Sequence, residues 1–107
     1  MKIKKLKEDY ISGYSEYATL HNRQAQKSLS QNQTYTFTYN GVGENITILY
    51  TGSIAITNIT VDGNTLLNGT VPITANPAIL LISWDSSISI TFQATAAANL
   101  FILFSGT

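Results

Sequence analysis

Beyond residue 33 the chain alternates apolar and polar positions with a period of two. TYTFTY (34–39) interleaves threonine with aromatics and NITILYT (45–51) interleaves it with aliphatics. Ile54 and Ile56, then Ile59 and Val61, continue the pattern with a slip of phase at Asn58. A period of two puts every second side chain on one face of an extended chain, so these segments predict strands with one buried face, and the slip predicts a β-bulge. Asn40-Gly41, the 42–44 loop, Thr51-Gly52, Asp62-Gly63-Asn64, Asn68-Gly69 and Asn76-Pro77 supply the left-handed or fixed backbone that tight reversals need. They predict the turns, two of them closing hairpins. AILLISW (78–84), SISITFQA (87–94) and NLFILFS (99–105) complete the set. The first and last are so continuously apolar that they predict burial on both faces or a subunit contact, with Ile88, Ile90, Phe92 and Leu100 to Phe104 as core or interface. Seven or eight short strands at this spacing predict an all-β fold: a compact β-sandwich, immunoglobulin-like or a small jelly roll or barrel.

The first residues follow a different period. Ile3, Leu6, Tyr10, Tyr14, Tyr17 and Leu20 recur at spacings of three and four, which predicts one face of a helix, weakened by Gly13. The stripe of Tyr10, Tyr14 and Tyr17 reads as a packing face against the body or a neighbouring chain. A membrane-surface helix fits less well, because the lysines crowd one end instead of lining the polar face. The Gln, Ser and Asn run from Ala25 to Gln33 reads as a linker. The resulting division is a basic, partly helical N-terminal arm (1–27), a linker (28–33) and a β-sandwich body (34–107).

Charge sharpens this division. The chain has six basic and six acidic residues and no net charge. Residues 1–27 hold all six bases against Glu8, Asp9 and Glu16, a net +3, while residues 28–107 hold Glu44, Asp62 and Asp85 and no base, a net −3. Soluble domains ordinarily carry roughly 25 to 35% charged residues on their surface. A body with three charges depends on hydroxyls and amides for solvation, or its surface is covered by partners. Uncharged sheet edges point the same way, since free edges are normally guarded by lysine or proline, and no lysine follows Lys27. Lys2, Lys4, Lys5 and Lys7 are therefore read as an electrostatic docking arm for an acidic patch on a neighbour.

No catalytic, cofactor or metal site is legible. The single histidine, His21, has no acidic neighbour in sequence to orient it as a base. Glu44, Asp62 and Asp85 are widely separated, and two of them stand in turn sequences where Asp is favoured for its local hydrogen bonds. Calcium needs several closely spaced oxygen ligands, and Gly41 with Gly43 lacks the third glycine and following helix of a phosphate cradle. There are no cysteines, which removes disulfides and thiolate zinc sites. Sequons at Asn32, Asn45, Asn58 and Asn68 reflect an Asn- and Thr-rich composition. Lys7 is followed by Glu8 and Asp9 where a secretory signal would be apolar, so no signal peptide and no membrane span is expected. Trp84 is a possible ligand platform with Tyr35, Tyr39 and Tyr50, although a lone tryptophan ending an apolar strand is more often core.

The basic arm and the Thr-, Asn- and Ile-rich, charge-poor stretch TYTFTYNGVGENITILYTGSIAITNITVDGN resemble the small all-β structural proteins of virions, of the bacteriophage capsid-decoration or minor-capsid type. That resemblance implies a non-enzymatic virion component, often trimeric, that reinforces contacts on a capsid lattice. Two other classes stay open from the residues: a carbohydrate- or receptor-binding sandwich using Trp84, and a nucleic-acid-associated protein using the lysine-rich arm.

Overall fold

The computed structural model describes residues 15–20 and 22–106. It is all-β, with seven strands: β1 (Ser15–Leu20), β2 (Gln24–Leu29), β3 (Thr34–Asn40), β4 (Asn45–Val61), β5 (Asn64–Pro72), β6 (Ala78–Leu80) and β7 (Ser87–Ser105). Two long strands organise everything. β4 and β7 run antiparallel along almost their whole length, from Asn45 opposite Ser105 to Val61 opposite Ile88.

Each long strand serves two partners on its other side. β7 pairs with β3 over residues 87–93 and with β2 over residues 98–103, while β4 pairs with β6 through 46–48 and with β5 through 55–61. The sheet thus has two halves that share the same central pair. One half runs β2-β7-β4-β6 and the other runs β1-β3-β7-β4-β5. Between them, Thr51 faces Asn99, Ser53 faces Ala96 and Ile54 faces Ala94, so β7 carries extra residues at this point. Such bulges bend a ladder. Gly52 sits at the bend with φ +87°, and a Cβ there would overlap the Ala97 carbonyl oxygen. Alanines at 94 and 96–98 offer the least bulk where the strands crowd.

The bend brings the two halves face to face. Phe37, Tyr39, Ile88, Ile90 and Phe92 from one half and Leu29, Ile46, Ile48, Leu100, Ile102 and Phe104 from the other join one buried cluster. Alternation along each strand is what feeds this core: β7 buries 88, 90, 92, 94 and then, past the bend, 98, 100, 102 and 104. Burying a large aliphatic or aromatic side chain contributes roughly 1.5 to 3 kcal/mol, so this single cluster is the main source of stability.

Several expectations are corrected at this level. SISITFQA and NLFILFS are one strand, because bulges let the backbone bend without leaving the ladder. NITILYT and the segment to Val61 likewise merge into β4. Thr51-Gly52 is that bend and not a turn, and Asn68-Gly69 lies inside β5. The bulge expected at Asn58 is present as a register shift between Ile56 and Asn58 against both neighbours. AILLISW supplies only the three residues of β6, and Trp84 then forms an isolated bridge with Gly43.

Residues 15–20, placed on a helix by their spacing, form β1 and pair in parallel with β3, from Ser15 opposite Thr34 to Leu20 opposite Tyr39. The unmet hydrogen-bonding edge of β3 outweighs a local helical period that Gly13 already weakens. β2 lies in the part read as arm and linker, and its Ala25, Lys27 and Leu29 alternate with Gln24, Gln26 and Ser28. Because β2 belongs to the opposite half, the chain crosses between halves on the way from β1 to β3, which allows those two to run parallel.

Candidate functional site

Residues 41–44, 62–63 and 84–86 meet at one end of the molecule, joined by backbone and Asp62 hydrogen bonds. Trp84 is 1% exposed. Its indole meets Phe104 and Tyr39 edge-on, with ring centroids 6.0 and 6.4 Å away. A ring enclosed in this way presents no face to a sugar, so its role is packing and not a ligand platform. Its Nε1–H finds no acceptor among the described residues. Tyr35 stacks obliquely on Phe37 and carries the Lys27 ammonium 4.9 Å above its ring. The Tyr50 hydroxyl donates to the Ile73 and Ala75 carbonyls. None of the four aromatic residues grouped as a platform shares a common open surface with the others.

Asp62 is a structural anchor. Its Oδ1 accepts hydrogen bonds from the Ser86 and Ser87 backbone N–H groups at 2.7 and 3.0 Å and from the Ser86 hydroxyl at 2.9 Å, and the Asp85 N–H lies 2.9 Å from Oδ2. These donors, the Asp85 N–H foremost and then those of Ser86 and Ser87, hold the carboxyl well below the ordinary carboxylate range. The turn reading of Asp62 is the observed one: it clamps the β4–β5 hairpin onto the loop that enters β7. Arg23 is fixed at the same end, its guanidinium 5.0 Å above the Tyr39 ring and donating to the Val42 carbonyl at 3.0 Å.

The outer faces differ between halves. On the β3 side the outward positions are hydroxyls that pair across strands, Thr36 with Thr91 at 2.7 Å and Thr38 with Ser89 at 2.8 Å. These pairs solvate the face without ions. On the β2 side the outward residues of β2, β7 and β4 form an open groove of about 480 Å³, lined by Gln26, Ser28, Leu49, Thr51, Asn99 and Phe101, with Asn76 at its margin. Leu49 and Phe101 are opposite one another in the ladder, as are Phe101 and Gln26. Ser28 and Asn99 are joined by a 2.6 Å hydrogen bond, and Asn76 donates to the Tyr50 carbonyl at 2.7 Å, which fixes the rim. The groove is therefore an apolar floor within preset amides and hydroxyls, with Lys27 as the one cation and no acid among its lining residues.

The groove as a whole is not legible in the sequence, because β2 falls across the boundary between the stretches read as arm (1–27) and linker (28–33). The signal was present in QAQKSL, where apolar or long aliphatic stems alternate with short polar groups. It was present again in Leu49, an apolar residue standing out of phase with Ile46, Ile48 and Tyr50. Lys2, Lys4, Lys5, Lys7, Tyr10 and Tyr14, expected to dock a partner, lie outside the described residues, as does His21. Tyr17 is described and is 81% exposed, so it does not pack on this body.

No family model and no curated protein matches the sequence. Among solved structures, the fold is similar to that of PliG from Aeromonas hydrophila, a periplasmic lysozyme inhibitor of g-type lysozyme, with a TM-score of 0.54, 12% identity, and 86% of this chain and 100% of that chain covered. At that identity the likeness establishes a shared fold.

It also corrects the virion reading. The similar structure is a periplasmic enzyme inhibitor, not a capsid component. Phage capsid decoration, a place in the virion and a capsid lattice as partner are accordingly withdrawn. Style of composition misled here: a charge-poor Thr- and Asn-rich β body follows from sheet faces solvated by hydroxyl pairs. What the similar structure has in common with the expected role is that it is not an enzyme and acts on a protein partner.

Proposed function

We propose that this chain is a protein-binding module that engages, and blocks, an enzyme of the lysozyme class. The observation that carries the reading is the groove on the outer face of β2, β7 and β4. An open concavity with an apolar floor and amide and hydroxyl groups held by the Ser28–Asn99 and Asn76–Tyr50 hydrogen bonds suits a projecting loop of a folded partner, whose backbone those polar groups can pair while its side chains cover Leu49 and Phe101. The partner class is supported by the likeness to the inhibitor of g-type lysozyme, which spans that protein's whole length. With Lys27 as the single ion among the lining residues, recognition selects mainly by shape and hydrogen bonding and little by electrostatic steering.

Titration calorimetry of the full chain against g-type lysozyme, with c-type lysozyme beside it, tests this together with a cell-wall lysis assay. The expected result is one-to-one binding with loss of lysis, weakened at least about tenfold by Leu49→Arg. Absence of binding to either enzyme removes the reading.

A further inference from the structure

Three pairs in the chain set an Asn or Asp side chain directly before a glycine: Asn40-Gly41, Asp62-Gly63 and Asn68-Gly69. Such pairs can react with themselves, because no Cβ hinders the approach of a glycine nitrogen to the preceding side chain. The fold treats the three differently. Asn40 ends β3, and the Gly41 N–H donates to the Ser86 carbonyl at 2.8 Å with the Tyr39 ring against it. A nitrogen committed as a donor gives up its proton reluctantly, so this pair is locked. The Asp62 carboxylate accepts the Asp85, Ser86 and Ser87 N–H groups, which occupy both its oxygens and keep it ionised. An ionised carboxylate is a poor target for a nucleophile.

Asn68 is held by neither device. β5 ends the strand order on its side of the sheet, and residues 68–72 are all exposed. The ladder passes from Asn58 opposite Asn68 to Ile56 opposite Val71, so Gly69 and Thr70 have no residue of their own opposite them on β4. Around Gly69 the space is open, and an added Cβ would meet nothing within 4 Å. The Asn68 side chain makes no hydrogen bond among the described residues. A bulged edge strand with few contacts opens at low cost, and that freedom lets the carboxamide turn onto the next nitrogen.

We propose that Asn68 is a self-modification site, deamidating through a cyclic imide closed by the Gly69 nitrogen. Hydroxide takes the Gly69 amide proton, and the nitrogen attacks Asn68 Cγ. The new C–N bond forms as the Cγ–Nδ2 bond breaks, and Nδ2 leaves as ammonia after taking a proton from water, which returns the hydroxide. Water then adds to either carbonyl of the ring and breaks its C–N bond there. Opening at Cγ gives aspartate, and opening at the backbone carbonyl gives isoaspartate, whose chain runs on through Cγ with an extra methylene. In sum a water enters and an ammonia leaves, with no oxidation or reduction. The product places a carboxylate and a lengthened backbone where the ladder is already out of register, so the pairing on either side need not move.

Incubation of the full chain at mildly alkaline pH, followed over time by peptide mapping with mass spectrometry, reads the amide-to-acid mass change at each asparagine and separates isoaspartate by its elution. The expected result is conversion at Asn68 at least about tenfold faster than at Asn40, the ratio that roughly 1.4 kcal/mol of barrier produces, with no isoaspartate at Asp62. In urea above the unfolding midpoint the two asparagines should react at similar rates, since the bond from Gly41 to Ser86 is then gone. Asn68→Gln should remove conversion at this position and leave Asn40 as it was. Equal rates at Asn40 and Asn68 in the folded chain overturn the proposal, as does an excess at Asn68 that persists unchanged in urea. So does an Asn68 that stays intact in the folded chain over a time in which the unfolded chain converts. Lysozyme binding does not enter this readout.

Discussion

Gly43 and Trp84 hold each other through both backbone groups: the Gly43 N–H donates to the Trp84 carbonyl at 3.1 Å, and the Trp84 N–H returns the bond to the Gly43 carbonyl at 3.0 Å. The absent side chain of Gly43 is what lets the indole lie across it, since a Cβ would overlap the Cζ2–Cη2 edge of its six-membered ring.

Gly43→Ala must therefore displace a ring that Tyr39 and Phe104 already confine. Overpacking of this kind typically costs about 1 to 3 kcal/mol. Urea unfolding followed by the emission of Trp84, the only tryptophan, measures it. An unchanged midpoint would show that the loop yields freely.

Asp62 should make the hairpin end sensitive to acid. Its folded-state affinity for protons is lowered by the Asp85, Ser86 and Ser87 N–H groups, so the ionised form is favoured by folding. The sign follows: this stabilisation is complete above the ordinary carboxylate value of about 3.9 and is lost as pH falls from there through the lowered folded value. Asp62→Asn should be less stable than the parent at neutral pH, with the gap closing on acidification. Denaturant midpoints for both proteins across that range decide the matter, and a pH-independent gap would refute the charge-based account.

Phe104 stacks on Tyr39, centroids 5.5 Å apart and planes 13° from parallel, although the two residues stand on opposite halves of the bent sheet. Phe104→Ala removes this bridge and leaves a cavity at the Trp84 end, a change that typically costs about 3 to 5 kcal/mol. The same loss at an exposed aromatic such as Tyr17 should leave thermal unfolding nearly unchanged, and the comparison isolates burial as the cause.

Partner binding in the groove should depend little on salt. Attraction between exposed charges is screened over about 8 to 10 Å at physiological ionic strength, and no acid lines this surface, its only cation being Lys27, which is stacked over Tyr35. Raising sodium chloride from low to high concentration should leave the affinity within about threefold, whereas contact through the lysines of residues 2–7 would weaken it steeply. Leu49→Arg should weaken binding at least about tenfold at either salt while the melting temperature holds.

The strands beyond residue 33 were legible because alternation is a local property: one buried face demands it wherever the strand ends up. Alternation likewise places Ile88, Ile90 and Phe92 on the buried face. The run Leu100 to Phe104, read whole as core or subunit interface from its continuous apolarity, alternates in the structure: Leu100, Ile102 and Phe104 are buried and Phe101 lines the groove. Where a local signal competed with a distant partner, it failed. Residues 15–20 carry a helical spacing yet pair with β3, and QAQKSL looks like linker until the edge of β7 beside it is known. Gly52 and Gly69 read equally well as turn formers, but one marks a bend within a ladder and the other an irregularity in an edge strand.

By itself, then, the sequence determined the all-β class, the buried phase of the alternating strands and the scarcity of ions, because each follows from which side chains water accepts. It did not determine which residues of the continuously apolar runs are buried, since Ile79 and Leu81 are exposed. The tertiary structure alone decided that one sheet folds onto itself at Gly52 and Ala96, that Trp84 is enclosed, and that Gln26, Leu49 and Phe101 share a surface. Those outcomes depend on pairings across dozens of residues, which the strands' hydrogen-bonding edges settle only when they meet.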